Sequence, residues 1–88
     1  MNLIFTKKGE WYEADFTADS NFNLHIEKPN GPIEMLQSSV QGAQPAAVEG
    51  VNFGYDNTVI DRGFAALVYP MYIRVRSKTM PTMAVVTF

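Results

Sequence analysis

Apolar residues alternate with polar ones along most of this chain, and that period of two is what most constrains its fold. The clearest runs lie at 22–27 and 71–76, with others at 11–17 and 82–88. Residues two apart share one face of a β-strand, so each run indicates a strand with one buried face. No window has the 3.6-residue period of a helix. The pattern predicts an all-β protein.

Turn residues separate these runs. Pro29-Asn30-Gly31-Pro32 combines a preset φ with residues that tolerate positive φ, which predicts a hairpin pairing the strands at 22–27 and 33–40. Residues 41–54 contain Pro45 and many small residues, so we expect a loop with a short edge strand. The nearly continuous apolar run at 64–69 predicts a strand covered on both faces. About seven short strands with turns between them indicate a small antiparallel β-sandwich or a small barrel, and we predict the sandwich.

The 88 residues are enough for one domain, 1–88, with one core. The absence of cysteine excludes disulfides and thiolate metal sites, so partner subunits are the remaining outside support. An apolar fraction of 47% exceeds what so small a core holds, which predicts an apolar contact surface and a homo-oligomer; the preference for a trimer over a dimer comes only from the family resemblance described below. A strand at the end of the sequence either docks in its own sheet or pairs with another subunit. The interface candidates are Phe64, Leu67, Tyr69, Tyr72, Val86 and Phe88.

The charges argue against nucleic acid as a partner. A net charge of −2 lacks the basic field that phosphate binding needs. Arg74, Arg76 and Lys78 cluster within five residues, as the solvated face of one strand or as a small docking patch for anions. The apolar run at 1–8 is too short for a signal peptide, and no stretch is long enough to span a bilayer. We therefore expect a chain made in a cytoplasm, with no membrane partner.

Residues able to carry chemistry are few. His25 is the only histidine and takes an outward position between Asn23 and Glu27, which favours a surface or hydrogen-bonded structural role over catalysis, with a subunit or ligand contact as the alternative. Glu13 and Asp15 share one strand face about 7 Å apart, as ordinary solvated charges do. We therefore expect no catalytic residue, no enzyme and no cofactor.

Turns and aromatic residues leave two further alternatives open. Asp19-Ser20-Asn21 and Asp56-Asn57 are turns whose oxygens could also bind calcium, although neither has an EF-hand pattern, and we expect no metal. The isolated glycines do not form a phosphate loop. Aromatic residues in strands indicate packing, or else a platform on which sugars stack. These residues are Trp11, Tyr12, Tyr55, Tyr69 and Tyr72.

Three stretches, covering about half the chain, carry a family resemblance. They are Trp11-Tyr12-Glu13-Ala14-Asp15-Phe16 with 21–27, then 67–77, and then 81–88. Their strand pattern resembles small structural proteins of tailed bacteriophages of gut Bacteroidetes. The resemblance implies a jelly-roll or immunoglobulin-like sandwich that assembles symmetrically in a virion and decorates a capsid, anchors a head fibre or joins virion parts, and it transfers no site residues. The alternative function is a carbohydrate- or surface-binding module.

Overall fold

Eight β-strands form the fold of the part of the chain that the structure describes. The computed structural model describes residues 1–38, 46–65 and 70–88, and of 46–52 the backbone alone. The strands are β1 (Thr6–Lys8), β2 (Trp11–Ala18), β3 (Phe22–Glu27), β4 (Ile33–Ser38), β5 (Ala46–Gly54), β6 (Val59–Phe64), β7 (Met71–Ser77) and β8 (Met83–Thr87).

The strands divide into two antiparallel sheets that pack as a sandwich. One sheet has the order β1-β2-β7-β4-β5 and the other β6-β3-β8. Consecutive strands pair only at β1–β2 and β4–β5, so most connections cross between the sheets. The predicted all-β sandwich is confirmed, with eight strands in place of about seven.

Alternating side chains build the core between the sheets. Along β7 the residues are buried and half-buried in strict turn, and β3 repeats the pattern. Leu24, Ile26, Val75 and Val86 are fully buried. The alternation predicted for both strands is confirmed, and β7 lies in the centre of its sheet between β2 and β4.

The predicted hairpin between 22–27 and 33–40 is wrong, because β3 and β4 belong to different sheets. The connection crosses the sandwich, and its backbone closes around Lys28. This lysine is only 4% exposed, and its Nζ donates to the carbonyls of Pro29 at 3.2 Å and Gly31 at 2.6 Å. Burial lowers the pKa of Lys28. Gly31 is tightly packed as well, since a Cβ there would lie 2.8 Å from Cγ2 of Thr79.

Two other segments differ from their predicted extents. β5 is an edge strand, as expected, but it runs for nine residues with register shifts against β4. Of the strand predicted at 64–69, Phe64 is the last residue of β6 and 66–69 lies outside the described residues.

The last strand docks inside its own sheet. β3 pairs with one edge of β8, and residues 1–3 pair with the other. Leu3 N donates to the Ala84 carbonyl at 2.9 Å, and Val86 N donates to the Met1 carbonyl at 2.8 Å. Both edges of β8 are therefore occupied by the chain itself.

Candidate assembly surface

An open cleft lies at one end of the three-stranded sheet, where β3, β6 and β8 come together. We call it the aromatic cleft. Its volume is about 400 Å³. It is lined by Asn21, Phe22, Gly63, Phe64, Ala65 and Thr87.

Phenylalanine rings connect the aromatic cleft to the core. The buried Phe22 ring stacks on Phe64 with centroids 5.3 Å apart, and Phe88 lies 6.4 Å from it on another side. Phe16 meets Phe22 edge to face at 5.2 Å. Phe64 is half-buried, whereas Phe88 is 56% exposed. The core therefore extends to the surface here as a set of aromatic rings.

Arg62 supplies the charge beside these rings. It lies opposite the buried Leu24 in the β3–β6 ladder, so it is on the core side of the edge strand. Its guanidinium carbon is 5.4 Å from the centroid of the Phe64 ring. The cleft thus combines apolar rings with one cation.

The structure separates the predicted interface residues. Phe64 lines the aromatic cleft and Phe88 lies beside it, next to the lining residue Phe22, but Tyr72 is half-buried on the other sheet. Val86 is 0% exposed, so its selection as an interface residue is corrected: its side chain packs inward, with Leu24 opposite, and offers a partner nothing. Leu67 and Tyr69 lie outside the described residues.

The outer face of the five-stranded sheet carries paired charges, and we call it the ion-pair face. The Arg74 guanidinium donates to both carboxylate oxygens of Asp15, at 2.8 and 3.0 Å, and lies 3.7 Å from a Glu13 oxygen. This pairing with Asp15 raises the pKa of Arg74. Arg76 pairs with Glu34.

Lys78 continues the same row of charges just beyond β7. Its Nζ donates to Glu10 at 3.0 Å, which lowers the pKa of that carboxyl. Every member of the basic cluster predicted at 74–78 therefore has an acidic partner. The arrangement supports the solvated strand face more than an anion-docking patch.

The aromatic residues do not converge into one platform. Trp11 has two cations against its ring, with Arg76 4.4 Å and Lys78 4.3 Å from the centroid. Tyr72 is at the far end of β7, opposite Thr17, so the length of the strand separates it from Trp11. Tyr12 packs against the core, and Tyr55 is exposed after β5. A flat sugar would find no continuous aromatic face among these four.

His25 forms a hydrogen-bonded bridge on the outer face of the three-stranded sheet. Its Nε2 lies 3.0 Å from Glu27, and its Nδ1 lies 3.1 Å from Asp61 on β6. Both contacts raise the pKa of His25, with Glu27 the larger cause. Asn23 also donates to Asp61 at 2.9 Å, and this bond, with His25, lowers the pKa of that carboxyl. The group is exposed, and it links an edge strand to its neighbour.

The turn residues act locally. Asn57 donates from its side chain to the carbonyl of Phe53, and the Ser20 hydroxyl contacts the Asn21 carbonyl at 3.3 Å. Across 1–38, 46–65 and 70–88, no group of three histidine or acidic side chains is arranged to hold a metal. The same residues include no helix able to cross a membrane.

Comparison with known proteins gave no match: no family model, no curated protein and no solved structure corresponds to this chain. Its function must therefore be argued from its own surfaces.

Sequence patterns did not reveal that Phe22 and Gly63 line the cleft or that Arg62 lies over the ring of Phe64. Phe22 and Gly63 are 41 positions apart in the numbering, and the β3–β6 register that places them one residue from direct opposition is not visible in either strand alone. A glycine followed by an aromatic residue at a strand end was the available signal. It was weak, because such pairs are common.

Proposed function

We propose that this chain is a non-enzymatic structural protein of a bacteriophage virion, which assembles symmetrically and decorates or joins capsid parts. The observation that carries the proposal is the aromatic cleft, where Phe88 and Phe64 stay accessible although they continue the ring packing of the core. Accessible aromatic anchors beside a depression are typical of protein–protein contacts.

The sandwich itself supports an assembly role. Its described body is a pair of packed sheets whose last strand is covered on both edges. Such a body presents a fixed surface, so binding at the cleft costs little ordering entropy. The resemblance of 11–16, 21–27, 67–77 and 81–88 to phage structural proteins supplies the virion context.

Two observations test the virion role directly. Portal, capsid or tail genes next to this gene are the expected genomic setting. Virions purified from a phage that carries the gene should contain the chain in a stoichiometric ratio to capsid protein, measured by mass spectrometry. A gene surrounded only by metabolic genes, or virions that lack the chain, would refute the proposal.

A carbohydrate- or surface-binding module receives less support. A platform of aromatic rings would need Trp11 and Tyr72 side by side. Trp11, on β2, lies next to the end of β7 that is farthest from Tyr72, and two cations already contact its ring. A glycan array decides between the two functions: binding that Trp11→Ala or Tyr72→Ala abolishes would favour the module.

A further inference from the structure

Residues 1–8, which we call the N-terminal segment, pair through their backbone with the edges of the two sheets. Residues 1–3 pair with the outer edge of β8, and β1 pairs with the outer edge of β2. All three residues of β1 are exposed, as are the apolar side chains of Met1 and Ile4. Phe5, 9% exposed, and Leu3 are the points where the segment reaches the core. Its removal would leave the other seven strands paired as they are.

A two-residue turn joins this segment to the body. Gly9 and Glu10 connect β1 to β2, whose first pair is Lys8 opposite Trp11. Gly9 has φ +63, the value for the first central residue of a type II′ turn. Because a Cβ at Gly9 would meet no atom within 4 Å, only the backbone conformation requires glycine there. An extended backbone at these two residues would carry residues 1–8 away from their own body.

When the N-terminal segment is released from its own body, it can form the same contacts with the body of a second copy. The same edges of β2 and β8 and the same core positions for Leu3 and Phe5 are present in every copy. The antiparallel register also continues through the opened turn. With Lys8 opposite Trp11 of the second copy, Gly9 lies opposite Glu10 of that copy, and the reverse pair follows by symmetry. The turn backbone therefore gains ladder partners when two copies exchange segments.

We propose that two copies of this chain exchange residues 1–8 about the Gly9–Glu10 hinge and form a symmetric dimer. The inference rests on the proposed assembly role and names the partner as a second copy. The assembling unit is then a dimer, whereas the resemblance to phage structural proteins favours a trimer.

The Asn2 and Val85 pair provides the test. The flanking bonds, Leu3 N to Ala84 O and Val86 N to Met1 O, make it a non-hydrogen-bonded antiparallel pair, the type with the closest side chains. The chain has no cysteine, so the variant N2C/V85C introduces the two thiols alone. It is refolded under reduction at high concentration, then oxidised and run on a non-reducing denaturing gel.

Exchange predicts covalent dimers, because the thiol introduced at position 2 of each copy then lies beside the thiol introduced at position 85 of the other copy. The control N23C/T87C joins two strands of the same body, so it should give covalent monomers with or without exchange. Covalent monomers from N2C/V85C at every concentration would overturn the proposal, even for a protein that dimerises through another surface.

The hinge glycine gives a second test. In Gly9→Ala the closed turn is strained at positive φ and the extended hinge is not, so the dimer should be favoured about tenfold for each hinge relieved. Gly54→Ala is the matched control, since Gly54 has φ +84 and equally open surroundings but lies at the end of β5. It should lower stability without increasing intermolecular cross-links. An equal response of the two variants contradicts the hinge.

A third test lengthens the hinge and needs no disulfide. Four Gly/Ser residues inserted between Gly9 and Glu10 allow the closed form without strain, so light scattering should show monomers of this variant, whereas the unmodified 9.9 kDa chain gives dimers. Persistent dimers, or an unmodified chain that is monomeric, would refute the exchange. Virions that contain a monomeric chain would refute the exchange alone, whereas dimers absent from virions would refute the virion role alone.

Discussion

The ion-pair face and the aromatic cleft differ in whether their side chains have partners within the chain. On the ion-pair face Arg74, Arg76 and Lys78 each have a carboxylate partner, and the Trp11 ring has cations against it. At the cleft Phe88 is more than half exposed, although its ring lies beside that of Phe22. The charges of the ion-pair face are paired within the chain, whereas the exposed ring at the cleft would bury more apolar surface if a partner covered it. A partner is therefore expected at the cleft.

The largest expected effect comes from Phe22, which joins the aromatic cleft to the core. Phe22→Ala should lower the free energy of unfolding by about 3–5 kcal/mol, because it removes a buried ring and leaves a cavity. Trp11→Ala on the ion-pair face should cost about 1–2 kcal/mol, since it loses exposed cation contacts. Urea denaturation of both variants measures the two changes in the free energy of unfolding. Equal changes would contradict the expected difference between the two regions.

Phe88 should matter for assembly more than for folding. We expect Phe88→Ala to weaken self-association or virion binding about tenfold or more, as for an interface anchor, while the free energy of unfolding changes by less than about 1 kcal/mol. Tyr55→Ala is the matched control, because Tyr55 is 59% exposed and lies away from the cleft. Analytical ultracentrifugation gives the association constant. An unchanged constant for Phe88→Ala would remove the cleft from the interface.

Ion pairs on the other face should contribute little. A double-mutant cycle with Asp15→Asn and Arg74→Met should give a coupling energy of about 0.2–1 kcal/mol, because Asp15 is largely exposed and water screens the pair. The coupling should shrink as salt is added. A large, salt-independent coupling would show that this face is more than a solvated surface.

His25 should give the smallest effect, seen as a change of stability with pH. Since Glu27 and Asp61 raise its pKa in the folded state, the stabilisation is fully present below the ordinary pKa of 6.5 and is lost as pH rises through the raised value. His25→Gln should remove this slope from the curve of urea midpoint against pH. If the urea midpoint of the variant still changed with pH in the same way, the pH dependence would come from another group.

The lowered pKa of Asp61 gives stability the opposite dependence on pH. Its stabilisation is present above the ordinary value of 3.8 and is lost as pH falls through the lowered folded pKa. The bridge is thus expected to be strongest between these two limits, where the histidine is protonated and the carboxylate is charged.

Side-chain periodicity made the strands predictable but not their partners. Leu24 and Ile73 each lie in an alternating run, and both are buried as that run predicts. The turn at Pro29 and Asn30 also exists, yet the same turn residues serve a hairpin or a crossing between sheets. What decides between them is packing that the local sequence does not display, including the buried Lys28 and the contact of Gly31 with Thr79.

The surface was harder to predict than the core. Phe64 was predicted from the apolar run at 64–69 and Phe88 from the strand at the end of the sequence, and the structure places both rings next to Phe22. Val86 has the same apolar character and is buried, because strand phase, set by pairing of β8 with β3, decides which residues face outward. Composition predicted an apolar contact surface without a location, whereas the strand register decides which apolar side chains face outward.

The exposed Arg62, which lies opposite the buried Leu24, has a consequence for how this protein behaves at high concentration. β6 is the last strand of its sheet in the described residues, and a bare strand edge invites unlimited stacking of one molecule on the next. Any newcomer that extended the sheet there would have to desolvate a guanidinium that now lies partly in water, over the Phe64 ring. Replacing that one arginine by an aliphatic residue would remove this desolvation cost and is therefore expected to favour edge-to-edge association of the sheets.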